Sequence, residues 1–163
     1  MRKCPPTRLW ALIPREPVFP PFTEGLLERH DFDCTQMALN AGLAKMADSP
    51  NGMRATAAGA NSFEKLALPV ATRKNLGVIA MKVFGQEQLL GAAPVDQLLA
   101  YALSLPVSLA SVGMPRLEHI EHNANLACEF RPLSKRQRER LIKTIQDERK
   151  LAMAEFLRDH QDA

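Results

Sequence analysis

Gly77-Val-Ile-Ala-Met-Lys-Val-Phe-Gly85, then Pro94-Val-Asp-Gln-Leu-Leu-Ala-Tyr-Ala-Leu-Ser-Leu-Pro106, then Val107-Ser-Leu-Ala-Ser-Val112 decide the fold class of this chain. Gly77 to Lys82 is a continuous apolar run of strand length, the pattern of a strand covered on both faces in a parallel sheet. Pro94 and Asp96 open a helix whose Val95, Leu98, Leu99, Ala102 and Leu105 share one apolar face, and Pro106 stops it. Val107 to Val112 reads as the next strand. Two parallel strands joined by a helix form a right-handed crossover, and ligands bind such units beyond the strands' C-terminal ends. The expected functional edge is therefore near Asn40, Lys82 to Gly85, and Gly113 to Arg116.

Upstream, Phe32 to Leu39 reads as a strand, partly alternating and mostly buried, preceded by a helix that ends across Glu24 to His30. Residues 1–21 hold Pro5, Pro6, Pro14, Pro17, Pro20 and Pro21, half of the 12 prolines, and are expected to be irregular, since proline is excluded from helix interiors and ladder donors. The domain is expected to occupy residues 22–163. Asn40 to Asn61 is rich in Ala, Gly, Ser and Asn around the turn signal Ser49-Pro-Asn-Gly52, and reads as a loop with at most one short helix. Asn61 or Ser62 is placed to cap a helix that has Pro69 in its first turn and ends near Asn75. Ser134 and Gln137 fit a capping box, opening a last helix expected to reach about His160 along Leu141, Ile142, Ile145, Ala152 and Phe156.

With 163 residues, 46% of them hydrophobic and 24% charged, the chain is long enough for one core. Its net charge of +3 is far short of what dedicated nucleic-acid binders concentrate on one face. The basic start of the last helix (Lys135, Arg136, Arg138, Arg140, Lys143) is interleaved downstream with Glu139, Asp147 and Glu148 and lacks stacking aromatics, so it reads as a solvated face and not as a nucleic-acid site. Cys4, Cys34 and Cys128 are odd in number and widely spaced, which suggests neither a disulfide framework nor a zinc site. No run approaches the roughly 20 apolar residues of a membrane span, and Leu9 to Ile13 is too short for a signal-peptide core, so a soluble cytoplasmic protein with no membrane partner is expected.

Val112-Gly-Met-Pro-Arg-Leu-Glu-His-Ile-Glu-His-Asn123 opens a further helix, and its unpaired N-terminal N–H groups with Gly113 and Arg116 suit an anion such as a phosphate. Taken with the Gly77 to Gly85 and Tyr101 to Val107 segments, this stretch closely resembles the last βαβα portion of the aldo/keto reductases, and the resemblance covers roughly Leu26 to Leu141. It implies an α/β chain forming the C-terminal half of a TIM (β/α) barrel. It further implies that Gly113, Met114 and Arg116 hold the 2′-phosphate and adenine end of NADPH and that Asn123 contacts adenine. Gln36 matches the family's strand glutamine that binds the nicotinamide carboxamide, and Lys82 and Phe84 lie in the loop that covers the cofactor, with Phe84 on the pyrophosphate side. Met81 stands where many members carry an aromatic ring stacking on the nicotinamide.

In that family the proton donor is a tyrosine tuned by Lys and Asp, with a histidine orienting the substrate. The resemblance implies that these residues belong to the first half of the barrel, expected to be encoded upstream, so this chain is expected to bind NADP without catalysing carbonyl reduction alone. Tyr101, the only tyrosine, lies in mid-helix and is not the acid. His119 and His122, spaced i,i+3, do not make a metal site, because nothing supplies a third ligand; they read as a polar helix face near the adenine. The alternative is a non-catalytic interaction domain that pairs its open sheet edge with a partner, either a complementing chain or a second copy.

Overall fold

The structure, a computed structural model, describes residues 11–12, 20–43, 45–49, 52–56, 62–85 and 89–145. Six strands and five helices follow one another along them: β1 (Ala11–Leu12), α1 (Pro20–Arg29), β2 (Cys34–Ala38), β3 (Lys45–Ser49), β4 (Gly52–Thr56), α2 (Ala67–Arg73), β5 (Gly77–Met81), α3 (Val95–Leu103), β6 (Leu109–Ala110), α4 (Leu117–Cys128) and α5 (Lys135–Thr144). One sheet is parallel throughout, in the order β1-β2-β5-β6, and is open at both edges. The class is mixed α/β with an open parallel sheet.

The central pairing is β2 with β5, in register from Cys34 opposite Gly77 to Ala38 opposite Met81. In-phase pairing puts Thr35 and Met37 beside Val78 and Ala80, and these four are buried. They meet one apolar core that includes Leu27 of α1, Ala67, Leu68, Val70 and Ala71 of α2, Leu98, Leu99, Tyr101 and Ala102 of α3, and Leu141 of α5. The opposite face, with Cys34, Gln36, Ala38, Ile79 and Met81, is only half-buried and contributes nothing to that core. A parallel sheet is normally covered on both faces, so this sheet is covered on one side only by the described helices.

Each strand-to-helix joint has a local cause. At the start of β5, the Gly77 N–H donates to the Asp33 carbonyl at 2.9 Å, and a β-carbon there would sit 3.1 Å from the Cys34 Cβ, so any side chain would press the two strands slightly apart. Lys74 follows α2 and its Nζ donates to the carbonyls of Leu27 and His30, binding the last turn of α1. Ser104 ends α3, where its Oγ accepts from the Leu133 N–H at 2.7 Å and its carbonyl accepts from Arg138, which docks α5. Ser134 and Gln137 form the expected capping box, with the Ser134 N–H donating to Gln137 Oε1 at 2.8 Å.

Several expectations are corrected. The segment from Asn40 to Asn61 is not a loop with a short helix: Lys45–Ser49 and Gly52–Thr56 pair antiparallel as a hairpin about the expected turn. Polar and small residues in both strands hide the alternation that marks a half-buried strand. Within the segment expected to be irregular, Ala11–Leu12 pairs with β2 and Pro20 and Pro21 begin α1, where a first turn tolerates a missing N–H; the rest of residues 1–19 lies outside the described residues. The helix after Asn61 starts at Ala67, with Leu66 at its N-cap and no side-chain cap; Ser62 instead accepts from the Lys65 and Leu66 N–H groups through its carbonyl. The strand read over Val107 to Val112 is present as the two-residue β6, and the last helix does not run on unbroken as expected: it stops at Thr144, where Ile145 turns extended as its C-cap, and residues 146–160 lie outside the described residues.

Candidate functional site

Beyond the C-terminal end of β5 the chain turns sharply. Lys82 has φ 54° and Gly85 φ 56°, left-handed conformations that reverse the strand toward α3. Across from this turn, the chain leaves β6 extended through Gly113 to Arg116, and Arg116 is the N-cap of α4 with φ −130° and no side-chain cap. Between them lies a pocket of about 190 Å³. Phe84, Leu90 and Val95 line one side and Gly113, Pro115, His119, His122 and Asn123 the other. It is smaller than the roughly 300 Å³ at which drug-sized ligand pockets begin, so it has room for a ring and not for a whole dinucleotide.

Asn123 is the informative group. It is the only buried residue of α4, 8% exposed, and among the described residues its side-chain amide has no hydrogen-bond partner. Fully enclosed polar side-chain atoms without a partner occur among the described residues at the Thr23 and Ser62 hydroxyls and not at Asn123, whose amide belongs to the pocket wall and can turn to a ligand there. Gly113 adds to this: a β-carbon there would meet nothing within 4 Å, and its backbone is not left-handed, so neither packing nor conformation within the chain requires glycine.

Of the residues expected at the site, Phe84, Gly113 and Asn123 share the pocket. Met114 and Arg116 are exposed on its α4 side and do not line it. Gln36 and Lys82 do not line it either. Gln36 lies on the half-buried face of β2, where its Nε2 donates to the Met81 sulfur at 2.9 Å, so the two residues that the resemblance assigns to the nicotinamide end are neighbours. Lys82 follows Met81 directly, at the strand end.

Sequence reasoning set aside His119 and His122 as a polar face, yet both line the pocket. His122 is paired through Nε2 with Asp96 Oδ1 at 3.1 Å, which joins the start of α3 to α4. No periodicity signals a contact between residues 26 apart on two helices. No group of three or more potential metal-ligating side chains occurs among the described residues. No helix of the described residues is long and apolar enough to cross a membrane.

Tyr101 is fully buried and donates from its hydroxyl to Glu64 Oε2 at 2.6 Å. Burial first, and then the Glu64 carboxylate, push its phenol well above the ordinary tyrosine range, against a smaller opposing effect of Arg138. A phenol held this firmly in its neutral form is a poor proton donor. Searches of family models, curated proteins and solved structures find no match to this chain.

Proposed function

We propose that this chain is an NADPH-binding module of aldo/keto reductase type, the C-terminal half of a TIM (β/α) barrel, that holds the adenosine end of the cofactor and does not reduce carbonyl groups alone. The observation that carries this reading is the ring-sized pocket at the start of α4, with Gly113 and Asn123 in its wall. The parallel sheet supports it, because its four strands lie side by side in their order along the chain, as barrel strands do, with the β3–β4 hairpin inserted between β2 and β5. Arg116 and the uncapped first turn of α4 offer a cation and free N–H groups to a phosphate, and the open space at Gly113 permits close approach. NADPH, if bound, would supply the hydride; this chain's residues would bind and orient it. The sole tyrosine is unsuited to supply the proton, which is why turnover is not expected. Free thiols at Cys34 and Cys128 agree with a cytoplasmic protein.

Fluorescence titration of the chain and of Arg116→Ala with NADPH and NADH tests the reading, alongside a carbonyl-reduction assay. NADPH binding should exceed NADH binding about ten- to a hundredfold, the equivalent of about 1.5–3 kcal/mol for a guanidinium-phosphate pair, and the preference should vanish in the variant. Equal affinities in both proteins would remove the phosphate site, and turnover by the pure chain would overturn the non-catalytic assignment.

A second reading, a non-catalytic interaction domain, is favoured by a different observation. The sheet face bearing Ala38, Ile79 and Met81 lies outside the core, β6 is an unpaired edge with Leu109 49% exposed, and Leu117 and Ile120 of α4 are exposed beside it. Such a surface suits a complementing chain or a second copy.

A further inference from the structure

Helix α4 buries one residue, Asn123, and on the neighbouring side of the helix an apolar stripe stays exposed. Leu117, Ile120, Ala124 and Ala127 follow one another at steps of three, four and three, the spacing that keeps apolar residues on one seam between two helices. Leu117 is 65% and Ile120 46% exposed, and both alanines are exposed as well. A helix of a globular chain ordinarily turns such a stripe inward. The two alanines leave room for a second helix axis at about 8 Å, the close end of the usual range.

The charges beside the stripe select its occupant. Arg116 lies on one flank of the seam and Glu121 on the other, and both are exposed. When two copies of α4 lie parallel about a two-fold axis, each flank faces the opposite flank of the other helix, which sets Arg116 beside Glu121 of the second copy, twice over. Antiparallel packing on the same seam would bring the two copies of Glu121 together, and like charges repel. Among the described residues neither Arg116 nor Glu121 has an ion-pair partner. Five positions apart on one helix, they do not reach each other within a chain. We propose that the exposed stripe of α4 is a dimer interface, on which a second copy of this chain packs its own α4 in parallel, with Arg116 and Glu121 pairing across the two-fold axis. The inference rests on the interaction reading, to which it adds the surface and the partner, and not on the nucleotide reading. Twelve residues of helix span about 18 Å, too short a seam to cover the roughly 800 Å² per partner of a standard interface, so the dimer is weak and concentration-dependent.

The test is sedimentation equilibrium of the full chain over a range of concentrations, for the native sequence, Ile120→Glu, Glu121→Arg and the double variant Arg116→Glu with Glu121→Arg. All three positions are exposed, so none of the substitutions touches the core, and far-UV circular dichroism checks that each variant folds. The native chain should fit a monomer–dimer equilibrium. Ile120→Glu places a charge in the seam and should weaken the association constant at least tenfold. Glu121→Arg turns two exposed ion pairs into two repulsions and should weaken it roughly tenfold. The double variant restores opposite charges across the axis and should recover the native constant to within about threefold. A role of either charge within its own chain would not predict that recovery. Association that Ile120→Glu or Glu121→Arg leaves unchanged would place the contact elsewhere on the chain, overturning the proposal while the interaction reading stands. Failure of the double variant to recover would overturn the parallel pairing. A native chain that stays monomeric throughout would overturn the proposal together with the self-association on which it rests.

Discussion

At the scale of single residues, burial decides what each polar group can do. Tyr101 and Asn123 are both buried, but Tyr101 is spent on Glu64 and Asn123 on nothing within the described chain. The first is therefore structural and the second is available to a ligand. Since the phenol is held above its ordinary range in the folded chain, its contribution to stability is fully present below about pH 10, the unfolded tyrosine value, and is lost as pH rises beyond it. Because Tyr101 is the sole tyrosine, tyrosinate absorbance reports on it alone. The folded chain should show no tyrosinate near pH 10 and should lose stability above it, whereas Tyr101→Phe should lack that alkaline slope. Ordinary titration near pH 10 with the chain still folded would contradict the burial. Sequence alone put Tyr101 in a helix and away from catalysis, but its partner lies 37 residues earlier in a turn, beyond the reach of any periodic pattern. Asn123 was marked only by resemblance; its missing partner is visible only once α4 is folded against the pocket.

At the scale of elements, agreement between sequence and structure follows the strength of the local signal. β5 and α3 were legible because an unbroken apolar run and a proline-bounded apolar face each permit one reading. The β3–β4 hairpin was not, because Lys45–Ser49 and Gly52–Thr56 carry no apolar alternation, and only their mutual pairing makes them strands. α5 is set at its start by side chains: the Ser134 Oγ accepts from the Gln137 N–H, and Gln137 answers the Ser134 N–H. Ser134→Ala should destabilise the chain by about 0.5–2 kcal/mol, seen as a lower urea midpoint at unchanged slope. No change in the midpoint would mean that α5, despite Leu141 and Arg138, contributes nothing to the cooperative unit.

At the scale of the molecule, the main physical fact among the described residues is a sheet face that no described helix covers. A four-stranded parallel sheet with helices packed against one side leaves Ala38, Ile79 and Met81 outside the core and both edges open. Unpaired edges and a half-buried apolar face favour association. Light scattering on the chain, 18.1 kDa by sequence, should give an average mass above the monomer that rises with concentration. A stable, dispersed monomer across the same range would show that the face tolerates water, and would count against both the half-barrel and the partner-binding readings. The open face was foreseeable from the number of strands the sequence can form; which residues line it required the β2–β5 register.

The central claim is that the pocket beside α4 receives the adenosine end of NADPH, and mapping amide shifts of the ¹⁵N-labelled chain on addition of NADPH tests it most directly. Shifts should concentrate at Phe84, at Gly113 and Arg116, and along α4 to Asn123, with the Asn123 side-chain NH2 among the largest. Shifts scattered over the surface, or confined to the basic start of α5, or absent altogether, would contradict it.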